Sequence, residues 1–471
     1  PPPPTARALR ALPRTTARAL RALPRTTARA LRALPRTTAR ALRALPRSPS
    51  HARTVEAHAP KARALRAPVR GPSRVRAVEA HAPKARVSTA RTRDKGGRGH
   101  AAPAAIIIVL LSLPVANAEP VATGTVLSVE PLSAAATLPG SHDSTRILYS
   151  STTVRDQPTT ASAAVYFPPG EPPAGGWPVI AWAHGTVGLG DDCAYSVAGP
   201  AAVERDWAYL GTWLDQGYAI VAADYAGLGT PGEHPYLNGT VEAHNVVDAV
   251  AAATKRFPTL SRKWAVVGQS QGGGAAVYTA RYATEFGGPE LDYRGAVGTG
   301  VPAYIENILL PLGPGVPPIE LGAHTTAYVF YILNGLAVTY PELGIESYLT
   351  ESGRRWLARA RTECIDPFGD ELAANNVVVG DQFARPLSQV PDLLGVLTRT
   401  MGLPESGYDR PLFLGQGLRD TDVITPATLL FAARLEAGGQ PLTLHTYPED
   451  HDGTVNASLV DSIPFVRGLF A

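Results

Sequence analysis

The sequence predicts an α/β fold: a mostly parallel sheet flanked by helices, with a large cap inserted late in the chain. Three observations predict it. From Arg146 onward, β-branched apolar runs alternate with amphipathic stretches and Gly-rich turns. A Gly-x-Ser-x-Gly string, Gly268 to Gly272, follows one such run and precedes a helix of small residues. The alternation stops over residues 301–409, which are rich in Pro, Gly and aromatics, and then resumes.

The elements read in order. Arg146–Thr152 and Ala161–Phe167 are leading strands suited to antiparallel pairing. Pro178–Ala183 is a buried strand ending at His184-Gly185. Val203–Gln216 has helical spacing through Trp207, Leu210, Trp213 and Leu214. Tyr218–Asp224 is the next buried strand, and Val241–Phe257 a helix with Thr240 as its N-cap. Trp264–Val267 is a strand, Gln271–Ala283 a helix and Arg294–Thr299 a strand. In the inserted block, Ala327–Leu333 and Trp356–Arg361 are irregular helical patches. Then follow the strand Pro411–Gly415, the helix Pro426–Glu436, the strand Leu442–Tyr447 and a closing helix after Thr454. The domain reading is therefore a core of residues 119–300 and 410–471 with a cap over 301–409. Ligands of such sheets bind beyond the carboxyl ends of the strands, where a cap would sit.

Composition separates the chain into two polymers. The 471 residues carry a formal net charge of +4. Residues 1–118 hold 25 Lys and Arg against 3 Asp and Glu, whereas residues 119–471 hold 19 against 37. The string TARALRALPR recurs from Thr5, Thr16, Thr27 and Thr38, and VEAHAPKAR from Val55 and Val78. Each copy of the first string carries a proline that breaks a helix, and no aromatic residue occurs before residue 118. Residues 1–86 are accordingly read as disordered, and as translated GC-rich repeat upstream of the true start rather than a nucleic-acid-binding arm.

Residues 87–118 are read as a signal peptide. Arg91, Arg93, Lys95 and Arg98 precede the apolar run Ala104–Leu113, and Ala116-Asn117-Ala118 has the small-x-small form of a cleavage site. No apolar run reaches the roughly 18–20 residues a transmembrane helix needs. The acidic balance after residue 118 argues against nucleic acid or anionic lipid as a partner.

The chemistry centres on Ser270. A serine in a strand-to-helix turn stands alone above the sheet at a helix N-terminus, where developing negative charge is favoured. Gly268 and Gly272 leave room for close backbones. A serine hydroxyl needs a base held by a carboxylate, in the chain order Ser, acid, His. Asp420, in a Gly-x-x-Asp turn from Gly417, is the acid, with Asp422 as substitute. Three histidines follow Ser270: His324 in the cap, His445 inside a strand, and His451 in the loop after the last strand, which is the expected base. The oxyanion donors are the N–H of Gln271 and the loop after Pro178–Ala183, where Thr186 offers both backbone and side chain and Gly185 is next in line. No metal constellation is apparent, no cofactor is implied, and Asp224 reads as a residue that fixes a strand-end loop.

These residues carry a resemblance. WAHGTVG from Trp182, ADYAGLGTPG from Ala223, GQSQGG from Gly268, the Gly-x-x-Asp turn and YPEDHDGT from Tyr447 resemble the secretory lipases, a family including yeast extracellular lipases and actinobacterial homologues. The resemblance covers most of residues 120–471. It implies an α/β-hydrolase fold, an extracellular location, triacylglycerol ester hydrolysis at a lipid–water interface, the insertion as a lid, and Ser270, Asp420 and His451 as the triad. In an exported chain the two cysteines, Cys193 and Cys364, are expected to pair, the alternative being two separate buried thiols. Short-chain esterase or acyltransferase chemistry on the same scaffold, and a non-catalytic envelope-binding protein, are the other readings. The apolar stretches Ile308–Leu312, Tyr328–Ile332 and Leu393–Leu397 fit either an acyl-chain tunnel or a cap core.

Overall fold

A computed structural model describes residues 121–315 and 323–471. The repeats of residues 1–86 and the signal segment 87–118 lie outside the described residues. The strands are β1 (Val126–Pro131), β2 (His142–Thr152), β3 (Pro158–Phe167), β4 (Trp177–Ala183), β5 (Ala219–Ala223), β6 (Leu260–Gln269), β7 (Asp292–Thr299), β8 (Leu412–Gly417) and β9 (Leu442–Tyr447). They form one sheet in the order β1-β2-β3-β5-β4-β6-β7-β8-β9. Pairing is antiparallel from β1 through β3 to β5 and parallel across the rest.

The longer helices are α1 (Val203–Asp215), α2 (Gly239–Arg256), α3 (Gln271–Gly287), α4 (Ala323–Thr339), α5 (Glu351–Ala360), α6 (Ile365–Ala374), α7 (Leu393–Met401), α8 (Thr425–Ala437) and α9 (Leu459–Phe470). Strands covered on both faces carry no alternation, and β5 is buried at every residue of Ala-Ile-Val-Ala-Ala. One apolar cluster unites the sheet with α1, α2 and α3 around Trp182, Trp213, Trp264 and Phe413.

Several boundaries differ from the sequence reading, each for a local reason. β1 was not anticipated: it is an edge strand exposed along most of its length, so it has no apolar face to read. The helix expected over Val241–Phe257 behind a Thr240 cap starts at Gly239, because Asn238 Oδ1, not Thr240, accepts the Val241 N–H at 3.3 Å. The patches Ala327–Leu333 and Trp356–Arg361 belong to the regular helices α4 and α5. The closing helix is interrupted, with a turn at Gly453–Ala457 ahead of α9.

Residues between β7 and β8 supply most of a second apolar cluster, which Leu189, Tyr236 and Leu237 join from the loops after β4 and β5. Phe330, Tyr331, Ile332, Leu333 and Leu336 of α4 pack with Leu357, Phe368 and Leu397 from α5, α6 and α7. Phe368 meets Phe330 edge-on at 6.1 Å and stacks on Tyr331 at 5.6 Å between ring centroids. Val329 to Ile332, Leu393, Val396 and Leu397 all point into this cluster, while Ile308 and Leu394 are exposed. Most of the apolar stretches of the insertion are therefore buried in this cluster. No described helix is long and apolar enough to cross a membrane.

Cys193 and Cys364 form a disulfide with a Cα–Cα distance of 5.3 Å. It joins the loop after β4 to the residue that caps α6. The loop it closes spans 171 residues, for which chain entropy gives roughly 5 kcal/mol of stabilisation. Backbone contacts reinforce the join: Leu189 N–H donates to Glu363 O at 3.3 Å and Ile365 N–H to Val187 O at 2.9 Å.

Candidate active site

Ser270 stands between β6 and α3 at φ 57° and ψ −121°, a conformation a side chain rarely adopts. Crowding behind it explains why. A Cβ at Gly272 would overlap the Ala183 carbonyl of β4, and one at Gly268 would overlap the Gly272 carbonyl. The turn is locked by the Ser270 N–H donating to Thr299 O at 3.0 Å and the Gly274 N–H to Ser270 O at 3.0 Å. The serine is thus held half-exposed at the carboxyl edge, mid-sheet, where β4 and β7 on either side and β8 and β9 beyond also end.

Asp420 and His451 meet across the ends of β8 and β9. His451 Nδ1 lies 2.8 Å from Asp420 Oδ2, and both side chains are buried. The carboxylate accepts three further bonds: from Gln416 Nε2 at 3.2 Å, the Asp422 N–H at 3.0 Å and the Val423 N–H at 2.8 Å. Because Asp420 accepts, the proton of a neutral His451 resides on Nδ1, leaving Nε2 as the base. Burial is the largest single influence on the imidazole and lowers its pKa. The carboxylates of Asp420, Asp422 and Asp452 together outweigh it and hold the group above its ordinary value. Gly300 lets the ring approach, since a Cβ there would lie 2.8 Å from His451 Cε1.

The other candidates fall elsewhere. Asp422 lines the cavity but makes no hydrogen bond to His451 among the described residues. His445 Nδ1 faces Asp461 at 3.2 Å and its ring stacks on Phe413. His324 faces Asp366 at 3.2 Å across the cavity mouth. His184 is fully buried between Tyr195 and Tyr225, with Nδ1 2.7 Å from Gly185 O. Asp224 holds Ser162 Oγ at 2.7 Å and the Ser196 N–H at 3.0 Å, which ties the loop after β4 to the sheet.

Ser270, His451, Gly185 and Thr186 line one cavity of about 110 Å³. Its other walls mix charged and polar groups (Arg205, Asp206, His324, Asp366, Asp422 and Asp452) with the apolar Val187, Ala201, Ala202, Tyr328 and Ile365. Thr186 Oγ1 is 2.6 Å from the Tyr236 hydroxyl, so its own proton is free for a ligand only when Tyr236 donates to it. No group of three or more metal-ligating side chains occurs among the described residues.

Two features escaped the sequence reading, because the variable positions of Gly-x-Ser-x-Gly carry no signal of their own. Gln269 Nε2 lies 2.9 Å from His451 Nε2, while the Ser270 hydroxyl has no hydrogen-bond partner among the described residues. Gln271, on the other side of the serine, is clamped: its amide donates to Glu242 Oε1 at 2.8 Å and to His234 Nε2 at 3.0 Å. Burial lowers the His234 pKa to about 3 and raises that of Glu242 to about 8, with hydrogen bonds from Gln271 and Leu237 pulling the latter back.

The Glu242 shift has a measurable consequence. A carboxyl with a raised folded pKa contributes stability that is complete below its unfolded value near 4.5 and is lost as pH rises to about 8. Glu242→Gln keeps an acceptor for Gln271 and removes the titration. Urea midpoints of wild type and variant, compared at pH 5, 6.5 and 8.5, will diverge in favour of the variant as pH rises, by roughly 5 kcal/mol at most. Parallel profiles would show that Glu242 ionises normally.

The mostly parallel sheet, with a serine at a strained elbow after β6 and an aspartate and histidine after the last two strands, has the α/β-hydrolase fold. Residues 196–391 match the family model described as "Secretory lipase", which bears out over that span the resemblance carried by the motifs. The match includes Ser270 and ends before Asp420 and His451. It supports carboxylic ester hydrolysis as the activity of this chain. Among solved structures, Candida antarctica lipase A in its closed state aligns with a TM-score of 0.59 and 20% identity, covering 74% of this chain and 82% of that one. The rice cell wall degrading esterase LipA from Xanthomonas oryzae gives 0.55 and 20%, covering 73% and 97%. A protein described as a hydrolase from Legionella pneumophila gives 0.57 and 18%, covering 73% and 96%. At these identities the likeness is one of fold. A search of curated proteins returned no match.

Proposed function

We propose that this chain is an exported serine hydrolase of acylglycerol esters. Ser270 Oγ attacks the ester carbonyl while its proton passes to His451 Nε2, and Asp420 orients the imidazole and stabilises its protonated form. The oxyanion is held by the N–H groups of Gln271 and of the Gly185-Thr186 loop. His451 then protonates the leaving alcohol, and water, activated by the same base, releases the acid from Ser270. The observation that carries this reading is the buried His451–Asp420 pair opening onto the same cavity as a serine in a strained turn. Export is supported by the family description and by the disulfide, a bond of oxidising compartments.

One observation favours a second reading, hydrolysis of short polar esters. The cavity, at about 110 Å³, is well below the roughly 300–1,000 Å³ of pockets that bury larger ligands, and its mouth is charged.

A p-nitrophenyl alkylphosphonate tests the mechanism: stoichiometric release of nitrophenol, with the adduct mapped to Ser270, is the expected result. An adduct on another residue, or none, overturns it. A series of p-nitrophenyl esters from acetate to palmitate, alongside emulsified triolein, separates the two substrate classes. Turnover of triolein and long-chain esters is expected of an acylglycerol hydrolase. An optimum at two to four carbons with no action on triolein decides for the short-ester reading.

A further inference from the structure

The Gln269 side chain spans the two halves of the catalytic apparatus. It is buried at the end of β6, immediately before the nucleophile. Its Nε2 faces His451 Nε2 at 2.9 Å. Its Oε1 packs against Gly185, so closely that a Cβ on that glycine would overlap it. Since Asp420 fixes the imidazole proton on Nδ1, the group facing Nε2 is a donor, and the amide N–H occupies the lone pair that must take the Ser270 proton.

An imidazole nitrogen has one in-plane lone pair, so the amide and the serine hydroxyl compete for it. The site contains the means of settling that competition. An ester whose carbonyl oxygen enters beside Gly185 comes up against Gln269 Oε1, which already packs there. Two carbonyl dipoles aligned head to head repel, and the Gln269 side chain, whose one hydrogen bond among the described residues is to His451, is the group that turns away.

We infer that Gln269 is a positioning residue that caps the base in the resting enzyme and gives it up to Ser270 when a substrate carbonyl enters the oxyanion loop. The inference rests on the triad reading above. Gln269 keeps the ring of His451 in plane and in the Nδ1–H tautomer while the serine waits unactivated.

Gln269→Met, close in length but without an N–H, and Gln269→Asn, too short to reach the ring, both remove the cap. The rate constant for phosphonylation of Ser270 by a small p-nitrophenyl alkylphosphonate is then measured against pH for wild type and both variants. Labelling forms the Ser270 Oγ–P bond, breaks the P–O bond to nitrophenolate and transfers the serine proton to His451, so it reports the availability of Nε2 directly. Both variants are expected to label Ser270 at least threefold faster at pH 8. Their acid limb will move to higher pH, because a donor that favoured the unprotonated nitrogen is gone. The charged groups facing the ring from the surrounding elements (Asp420, Asp422, Asp452, Arg205, Asp206, His324 and Asp366) are unchanged in both variants, so the displacement belongs to Gln269.

A residue that serves only to pack β6 would slow labelling and leave the limb where it was. Equal or slower labelling of Ser270 in the folded variants, with an unmoved limb, overturns the inference and leaves the triad standing. Wild-type label on any other residue removes the triad and this inference together. Should Gln269→Met not fold, Gln269→Asn alone decides, since it adds no volume.

Discussion

Ser270→Ala will lower kcat on p-nitrophenyl butyrate by a factor on the order of 10⁵ to 10⁶, with KM changed little. The magnitude follows from what the variant loses. Without the hydroxyl no acyl-enzyme forms, and the oxyanion donors and positioned base leave only a residual rate over water. The fold should not suffer, for the Ser270 side chain caps nothing in α3 and its hydroxyl bonds to nothing among the described residues. Alanine accepts the φ of 57° about as poorly as serine does, so the unfolding midpoint is expected to move by less than about 1 kcal/mol. Steady-state kinetics beside a urea titration check both halves. Activity within tenfold of wild type would assign the nucleophile elsewhere.

Gly272→Ala is expected to act on the fold as severely as Ser270→Ala acts on the chemistry. The added methyl would overlap the Ala183 carbonyl oxygen, and the His184 carbonyl stands 2.6 Å from the same point. Both belong to backbone at the end of β4, which is held by β5 and β6 on its two sides and cannot retreat. Relief requires α3 to lift off the sheet, with the burial of Ala275, Ala276 and Val277 at stake. The expected cost exceeds about 4 kcal/mol, read as loss of soluble yield or a collapsed urea midpoint. Gly211→Ala is the control: it lies in α1 with nothing within 4 Å of the new methyl, and should be stabilising by up to about 1 kcal/mol. An unmoved midpoint in Gly272→Ala would show that the elbow is not packed as described.

How much could be read beforehand depended on where physical constraint writes itself into residue type. β5 was legible almost to the residue, since a strand buried between neighbours must be a continuous apolar run and turn residues bound it, whereas β9, at the other edge of the sheet, was legible from its alternation of Leu442 and Leu444 with polar residues. Ser270 was legible because close backbones demand glycine at fixed offsets. The meeting of Asp420 with His451, 31 residues apart, was inferred from chain order together with the strand-end turns that hold them. β1 was invisible for the opposite reason: an exposed edge constrains hydrogen bonding and not composition. Gln269, Glu242 and His234 were invisible because a buried polar network is satisfied by partners distant in sequence, such as the Gln269–His451 pair 182 residues apart, and no local pattern records a partner. Helix α4 packs against both α5 and α6 around Phe368, and its apolar residues face several neighbours at once, which blurs the single-stripe periodicity of a helix lying on a sheet.

The Cys193–Cys364 bond has a mechanical consequence. It pins the insertion at the threshold of the catalytic cleft, next to the very loop that carries Gly185 and Thr186. A clamshell motion in which the whole upper layer swings away is therefore forbidden while the bond is intact. Whatever widening admits a bulky guest must pivot about that rivet, with the travel greatest at the far rim. A thiol reductant would leave only the backbone bonds Leu189–Glu363 and Ile365–Val187 at that join, loosening entry without touching a single group that handles the proton.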